Sequence, residues 1–517
     1  MIKETKVENG MLRGIAAADP RIIAYKGVPF AAPPVGDLRW HEPVACPDWE
    51  GVRDCSRFAP ISMQGTPGAQ HNIYELEWNV DPEIPMSEDC LYLNIWTPAK
   101  TAEERLPVFV WFFGGAYQEG NTSEMEFNGE RIARRGIVVV TVNYRVNCFG
   151  FLAHPEITKE NPEAPANFGL LDQFFGVQWV KKNIVAFGGN PDDITIGGQS
   201  AGGGSVISQI TSPKTVGYYN KAVIMSGTFF GGYGPLGGAR PDTGLESAEK
   251  QGEDFFEFLG VKTLAEARAL DAFYIRDKYA EYIGGVVDTT ALNRGKAGSR
   301  IGPCTDGKFI TGNGMSMMIN NDRQMIPLMM GNTPIEFPAV PFFDDQAAFE
   351  AYVRQTYGDR AEQFLSLVRG ADWAETQKNA TFQQIELGAR CVAESSAACK
   401  DAPNTYYYQF DPFIPGPDAP GPFHSCDLWF WFESLASCWR PYNGKHYDLA
   451  RHMCNYLSNF IKTGDPNGND ADGTEMPKWL PYAECGSPMY FSDDCRMKDR
   501  SHERELIRFL VDYNLGK

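Results

Sequence analysis

Ile194-Thr195-Ile196-Gly197-Gly198-Gln199-Ser200-Ala201-Gly202-Gly203-Gly204 reads as a β-branched strand that runs into Gly-x-Ser-x-Gly and on into a helix. A nucleophile on so sharp a strand-to-helix turn is held strained and exposed, and small residues two before and two after it let neighbouring backbone approach. The helix that follows points free N–H groups at the place where an oxyanion would form. Ser200 is therefore the candidate nucleophile.

Outward from this turn, apolar β-branched runs alternate with helical patterns. Leu106–Phe113, Gly136–Tyr144, Ile194–Gly198, Lys221–Ser226, Ile326–Gly331 and Thr405–Phe410 are predicted strands. Gly169–Phe187, Ala201–Thr211, Tyr447–Thr463 and His502–Asp512 are predicted helices. Near-continuous apolar strands separated by helices specify an α/β fold with a mostly parallel central sheet covered on both faces. Charged helical stretches near 245–300 and 344–398 interrupt the alternation and read as cap insertions, so residues 1–517 form one domain.

Composition removes several function classes. A formal charge of −19 repels nucleic acid, whose phosphates need clustered Lys and Arg. No run approaches the roughly 20 apolar residues of a membrane span, and the opening MIKETKVENGML lacks a signal-type apolar core, so a cytoplasmic protein is expected. The 12 cysteines show no CxxC pair, and no metal or other cofactor is expected. The oligomeric state is not readable.

A hydrolytic serine needs a base and an acid behind it. Of seven histidines, His41, His71, His446, His452 and His502 read as ordinary surface or satisfied side chains. His154 follows a strand, and His424 lies in a loop after the last predicted strand, where a mobile base belongs. For the acid, Glu336 follows the apolar strand ending at Gly331, with Asp306 and Asp344 as alternatives.

Several stretches resemble the type-B carboxylesterases, the family of cholinesterases, bacterial p-nitrobenzyl esterases and some fungal lipases. They are YKGVPFAAPP (25–34), LRW (38–40), SEDCLYLNIW (87–96), FGGNPDDITIGGQSAGGG (187–204), GPCTDG (302–307) and NFIKTGDPN (459–467). The resemblance implies the α/β-hydrolase fold and hydrolysis of a small-molecule carboxylic ester. It implies His424 as base, through the match of GPFHSCDL (421–428) to the family's G-x-x-H-x-x-[DE]-L, and Glu336 as the acid five residues after Gly331. Gly115, Ala116 and Ala201 are the implied oxyanion donors, and Ser226 the implied partner of the acid. Three departures stand out. Ala116 replaces the family's third glycine, Gln199 replaces the Glu before the nucleophile, and Ser62 stands where the family has the cysteine partner of Cys90, so that disulfide is not expected.

Rings crowd the segments the fold would bring around Ser200, and Phe113, Phe229, Phe337 and Trp429 are the expected pocket walls. With no Arg or Lys cluster beside these motifs, neutral esters with a short acyl chain or an aromatic half (aryl, benzyl or hydroxycinnamoyl) are the expected substrates. A lipase-like enzyme for longer chains is the alternative. A non-catalytic binding homologue is a second, less favoured because such proteins lose a triad member and this chain keeps all three. Trp78 lies two residues off the spacing of the family's cation-binding Trp.

Overall fold

The computed structural model describes residues 1–69, 72–233, 243–284, 299–499 and 503–517. His71, His502 and the 285–298 part of the first predicted insertion lie outside the described residues.

Among the described residues, eleven strands make one sheet. They are β1 (Ile15–Ala16), β2 (Ile23–Pro29), β3 (Tyr92–Thr97), β4 (Leu106–Phe112), β5 (Val138–Val142) and β6 (Gly189–Gln199). The second half comprises β7 (Lys221–Met225), β8 (Leu328–Asn332), β9 (Thr405–Phe410), β10 (Met489–Phe491) and β11 (Cys495–Met497). The spatial order is β1-β2-β3-β5-β4-β6-β7-β8-β9-β10-β11. From β5 to β10 every pairing is parallel, and the outer pairings are antiparallel.

Alternation along β4 shows why both faces are apolar. Phe109 and Trp111 enter one core, beneath helix Gly444–Thr463 with its Leu449, Met453 and Phe460. Val108, Val110 and Phe112 enter the other, beneath helices Phe168–Asn183 and Ala201–Thr211. A strand clad on both sides reads as the continuous apolar run seen at 106–113.

All six predicted strands and all four predicted helices are present, with ends shifted; β6 starts five residues before Ile194. The five strands that sequence periodicity did not mark, β1, β2, β3, β10 and β11, are short or carry polar interruptions. Asn94 in β3 has a structural reason. Its Oδ1 accepts the Gly27 N–H at 2.9 Å, beside the register break between Tyr25 and Val28, and its Nδ2 donates to Thr122 and Thr141.

Helices Leu245–Leu259 and Ala272–Tyr282 build a separate core from Phe255, Phe256 and Ile275, joined by Phe149. Gln346–Tyr357 and Ala361–Val368 build another with the C-terminal helix Glu505–Asn514, through Phe349, Phe364 and Phe509. Helix Gln384–Ala398, assigned from sequence to the second insertion, instead packs Ala389 and Val392 under Leu328, Met330 and Tyr407 of the sheet. Helical spacing reports an apolar face but not the surface that covers it. No helix among the described residues is long and apolar enough to cross a membrane.

Candidate active site

The turn at Ser200 has the strain its sequence implies, with φ 56° and ψ −121°. The Ser200 N–H donates to the Met225 carbonyl at 2.9 Å, pinning the turn to the end of β7. The flanking glycines are sterically required. A Cβ on Gly198 would lie 2.3 Å from the Gly202 carbonyl oxygen, and one on Gly202 would lie 2.1 Å from that of Phe112. Both obstacles are backbone, which cannot swing away. Gly202→Ala is therefore expected to destabilise the fold by about 1–3 kcal/mol or more, the range for overpacking, while displacing Ser200. Thermal unfolding of the variant at wild-type Tm, with activity intact, would show the approach to be looser than this.

Every candidate group lies just beyond the C-terminal end of a parallel strand, where open α/β sheets bind ligands. Ser200 follows β6, Ser226 follows β7, Glu336 lies four residues past β8, and His424 is in the loop after β9. An isolated parallel bridge between Ile335 and Phe423 ties these last two loops together one residue before Glu336 and His424. His424 Nδ1 is hydrogen-bonded to Glu336 Oε2. The other carboxylate oxygen accepts from Ser226 Oγ at 2.7 Å and from the Thr333 N–H at 2.8 Å. Glu336 is thus oriented from three sides, and Ser226 occupies the place the resemblance implied.

The alternatives are elsewhere. Asp306 accepts the N–H groups of Lys308, Phe309 and Ile310, and Asp344 is exposed. His154 stacks on Phe256 at 4.2 Å and accepts the Glu156 N–H. His446 caps its own helix, and His452 faces Asp470 at 3.2 Å. The loop of His424 is anchored by Asp427, whose Oδ2 accepts from the Tyr408 hydroxyl and Trp431 Nε1. Burial pushes the Asp427 carboxyl up to about 6.

Gln199 does more than remove a charge. Its Nε2 lies 3.2 Å from His424 Nε2, whereas the Ser200 hydroxyl makes no hydrogen bond to a described residue. With Nδ1–H given to Glu336, Nε2 is the accepting nitrogen and the Gln199 amide donates to it. Catalytic hydrogen bonds are often long or poorly aligned without substrate.

On the facing loop, Gly115 has φ 95° and Ala116 φ 55°. At Gly115 a Cβ would meet the Glu119 carbonyl oxygen at 2.2 Å, so glycine is obligatory there. Ala116 takes up the left-handed conformation despite its Cβ. No described residue accepts a hydrogen bond from the N–H of Gly115, Ala116 or Ala201. Three donors are thereby left for a ligand.

These groups open on a cavity of about 250 Å³. Ser200 and His424 lie against Gly115 and Ala116, and the rings of Tyr74, Trp78 and Phe337 line it. Phe337 stands edge-on to the His424 ring at 4.7 Å, and Phe229 supports both from behind, 5.4 Å from Phe337 and 6.3 Å from His424. Three expected walls are corrected. Phe229 packs against Phe337 and His424 but is not among the residues that line the cavity. Phe113 is buried and stacked on Tyr144 at 4.1 Å, because it continues the Phe109–Trp111 face of β4 into the core. Trp429 is fully buried and donates through Nε1 to Glu77 at 3.3 Å. Residues the sequence reading missed are Tyr74 and the carboxylates Glu119, Glu124 and Glu126, which share the cavity wall. A polar loop rich in Glu reads as solvated surface unless its packing is known. Cys90 has no disulfide. Among the described residues, no three His, Cys, Asp or Glu side chains group to hold a metal ion.

A strained serine between strand and helix, a histidine and acid from later strand ends, and donors after β4 define an α/β-hydrolase. The sequence model of the carboxylesterase family matches residues 2–386 and 374–508. This chain belongs to the carboxylesterase family. It is 32% identical over 363 residues to fumonisin B1 esterase of Sphingopyxis macrogoltabida, a match covering 69% of this chain and 61% of that protein. It is 27% identical over 506 residues to the cholinesterase of Mus musculus, covering 91% and 80%. Among solved structures, the carboxylesterase of Geobacillus stearothermophilus matches with a TM-score of 0.71 at 26% identity, over 98% of this chain and 100% of that one. A PNB esterase shares the fold with a TM-score of 0.78 at 24% identity, over 99% of each chain.

Proposed function

We propose that this protein hydrolyses carboxylic esters through an acyl-enzyme, with Ser200 as nucleophile, His424 as general base and Glu336 as the acid that orients it. The observation that carries this reading is the Ser226–Glu336–His424 hydrogen-bonded chain, which ends in the same cavity as the strained Ser200. On substrate binding, the His424 imidazole turns from the Gln199 amide to the Ser200 hydroxyl and accepts its proton as Oγ attacks the carbonyl carbon. The carbonyl π electrons move to oxygen, and that oxyanion is met by the N–H groups of Gly115, Ala116 and Ala201. Collapse expels the alkoxide, which takes the proton from His424. Water then repeats the sequence on the acyl-serine, activated by the same imidazole.

We propose further that the preferred esters have a short acyl chain or an aromatic half. Support comes from Tyr74, Trp78 and Phe337, ring faces and edges around a cavity of modest size. Aromatic pairs add about 0.5–1.5 kcal/mol beyond area burial, so benzyl acetate is expected to exceed hexyl acetate in kcat/KM by about twofold to tenfold. A panel running from C2 to C12 acyl chains, with benzyl, aryl and hydroxycinnamoyl members, measures this. Higher kcat/KM for the C12 esters would favour the lipase-like alternative.

A further inference from the structure

In the free protein the base is engaged by a group that takes no part in breaking the ester. His424 shares Nδ1–H with Glu336, and the lone pair left on the ring, at Nε2, is met by the Gln199 amide nitrogen at 3.2 Å. Ser200 is the neighbouring residue, opens on the cavity, and makes no hydrogen bond from its hydroxyl to a described residue. A neutral imidazole has one accepting nitrogen, so the amide and the serine compete for the same lone pair.

The fold places the amide there. Gln199 is the last residue of β6, pairs with Met225 of β7, and is 2% exposed. On its other side the loop after β4 comes so close that a Cβ on Gly114 would lie 2.8 Å from the Gln199 carbonyl oxygen and 3.1 Å from its Oε1. Glycine at 114 thus leaves the room that the amide fills. The imidazole is confined as well, with the rings of Phe337 and Tyr74 edge-on to it at 4.7 Å and 6.5 Å. A glutamate at 199, which the family resemblance implies, could not make this contact in its ionised form, because it has no N–H to give to a neutral imidazole.

We propose that Gln199 is a positioning residue that keeps the base off the nucleophile until an ester fills the cavity. This rests on the ester-hydrolase reading above and adds to it when the serine becomes reactive. While the cavity is open, solvent accepts from the Ser200 hydroxyl and the amide holds Nε2. An ester that fills the cavity expels that solvent, and a buried hydroxyl left without an acceptor is costly. The imidazole is the acceptor within reach, so the bound ester tips the competition from amide to serine. The amide contact stabilises the free protein alone, and its removal therefore raises every rate counted from the free protein.

The test uses Gln199→Met, which keeps the length of the side chain and removes the donor. Its first probe is methanesulfonyl fluoride, a small electrophile: Oγ bonds to sulfur, fluoride leaves, and the hydroxyl proton passes to His424. In Gln199→Met the second-order rate constant for this inactivation is expected to rise at least about threefold, the worth of one neutral hydrogen bond. For benzyl acetate kcat/KM should rise as well, with KM falling by more than kcat rises. Rate constants at or below the wild-type values, as a merely structural role would give, overturn the proposal. A gain carried by kcat would show the base still on the amide with ester bound, and overturns it too. The second measurement needs neither turnover nor that variant. With ¹⁵N-labelled histidine, the Nε2 resonance that is missing from His424→Ala is expected to stay in place in Ser200→Ala, since the serine is not its partner at rest. A shift of that resonance in Ser200→Ala would overturn the proposal while leaving the esterase reading standing. Hydrolysis of no ester by the wild-type protein would remove the esterase reading itself.

Discussion

Ser200→Ala is expected to lower kcat for benzyl acetate by about 10⁴-fold or more. The hydroxyl removed is the nucleophile of the proposed acyl-enzyme, and no cysteine or threonine of the described residues lines the cavity as a substitute. What remains is binding and the three N–H donors, which alone sustain roughly 10³–10⁴-fold acceleration over water in serine hydrolases. The turn itself should survive, because alanine keeps the Cβ and the N–H that bonds to Met225. Circular dichroism and Tm establish that the fold is kept, and single-turnover kinetics read the loss. Turnover at a tenth of the wild-type rate would remove Ser200 from the chemistry.

The second large effect is at the base and its acid. His424→Ala is expected to lower kcat by about as much as Ser200→Ala, because nucleophile and base act as one unit, and the double variant should lose little more than either alone. Glu336→Gln is expected to cost about one to two orders of magnitude less, in line with the acid of other triads. The structure gives the reason it costs anything. Ser226 Oγ and the Thr333 N–H both donate to Oε1. A glutamine must keep its oxygen there and turns its NH₂ towards His424, which asks Nδ1 to accept and places the imidazole proton on Nε2, the wrong nitrogen for a base. Ser226→Ala, by freeing one of those donors, should partly relieve Glu336→Gln. Strict additivity of the two substitutions in kcat would contradict this account.

The proposed catalytic residues were legible in the sequence, Ser200 through local chain geometry and His424 and Glu336 through the family resemblance. Gly-x-Ser-x-Gly after a β-branched run admits one conformation, and the clashes at Gly198 and Gly202 show why no other residue is tolerated there. His424 and Glu336 sit in loops whose positions follow from the strands before them. Resemblance to the family then selected them over His154, Asp306 and Asp344. Alternation along β4 also held a signal that went unused. Phe113 is in step with Phe109 and Trp111, so period two already places it in the core and away from the pocket.

Other features could be decided only by tertiary structure. Tyr74, Trp78 and Glu126 reach the cavity from segments whose local sequence says nothing of where they dock. Gln199 rests on His424 across 225 positions of sequence. Trp429 turns into the core because Glu77, from a distant helix, accepts its indole N–H. Local spacing fixes backbone conformation through sterics between near neighbours. Which side chains meet across a cavity depends on the packing of remote elements, and no periodicity within one segment encodes its partner.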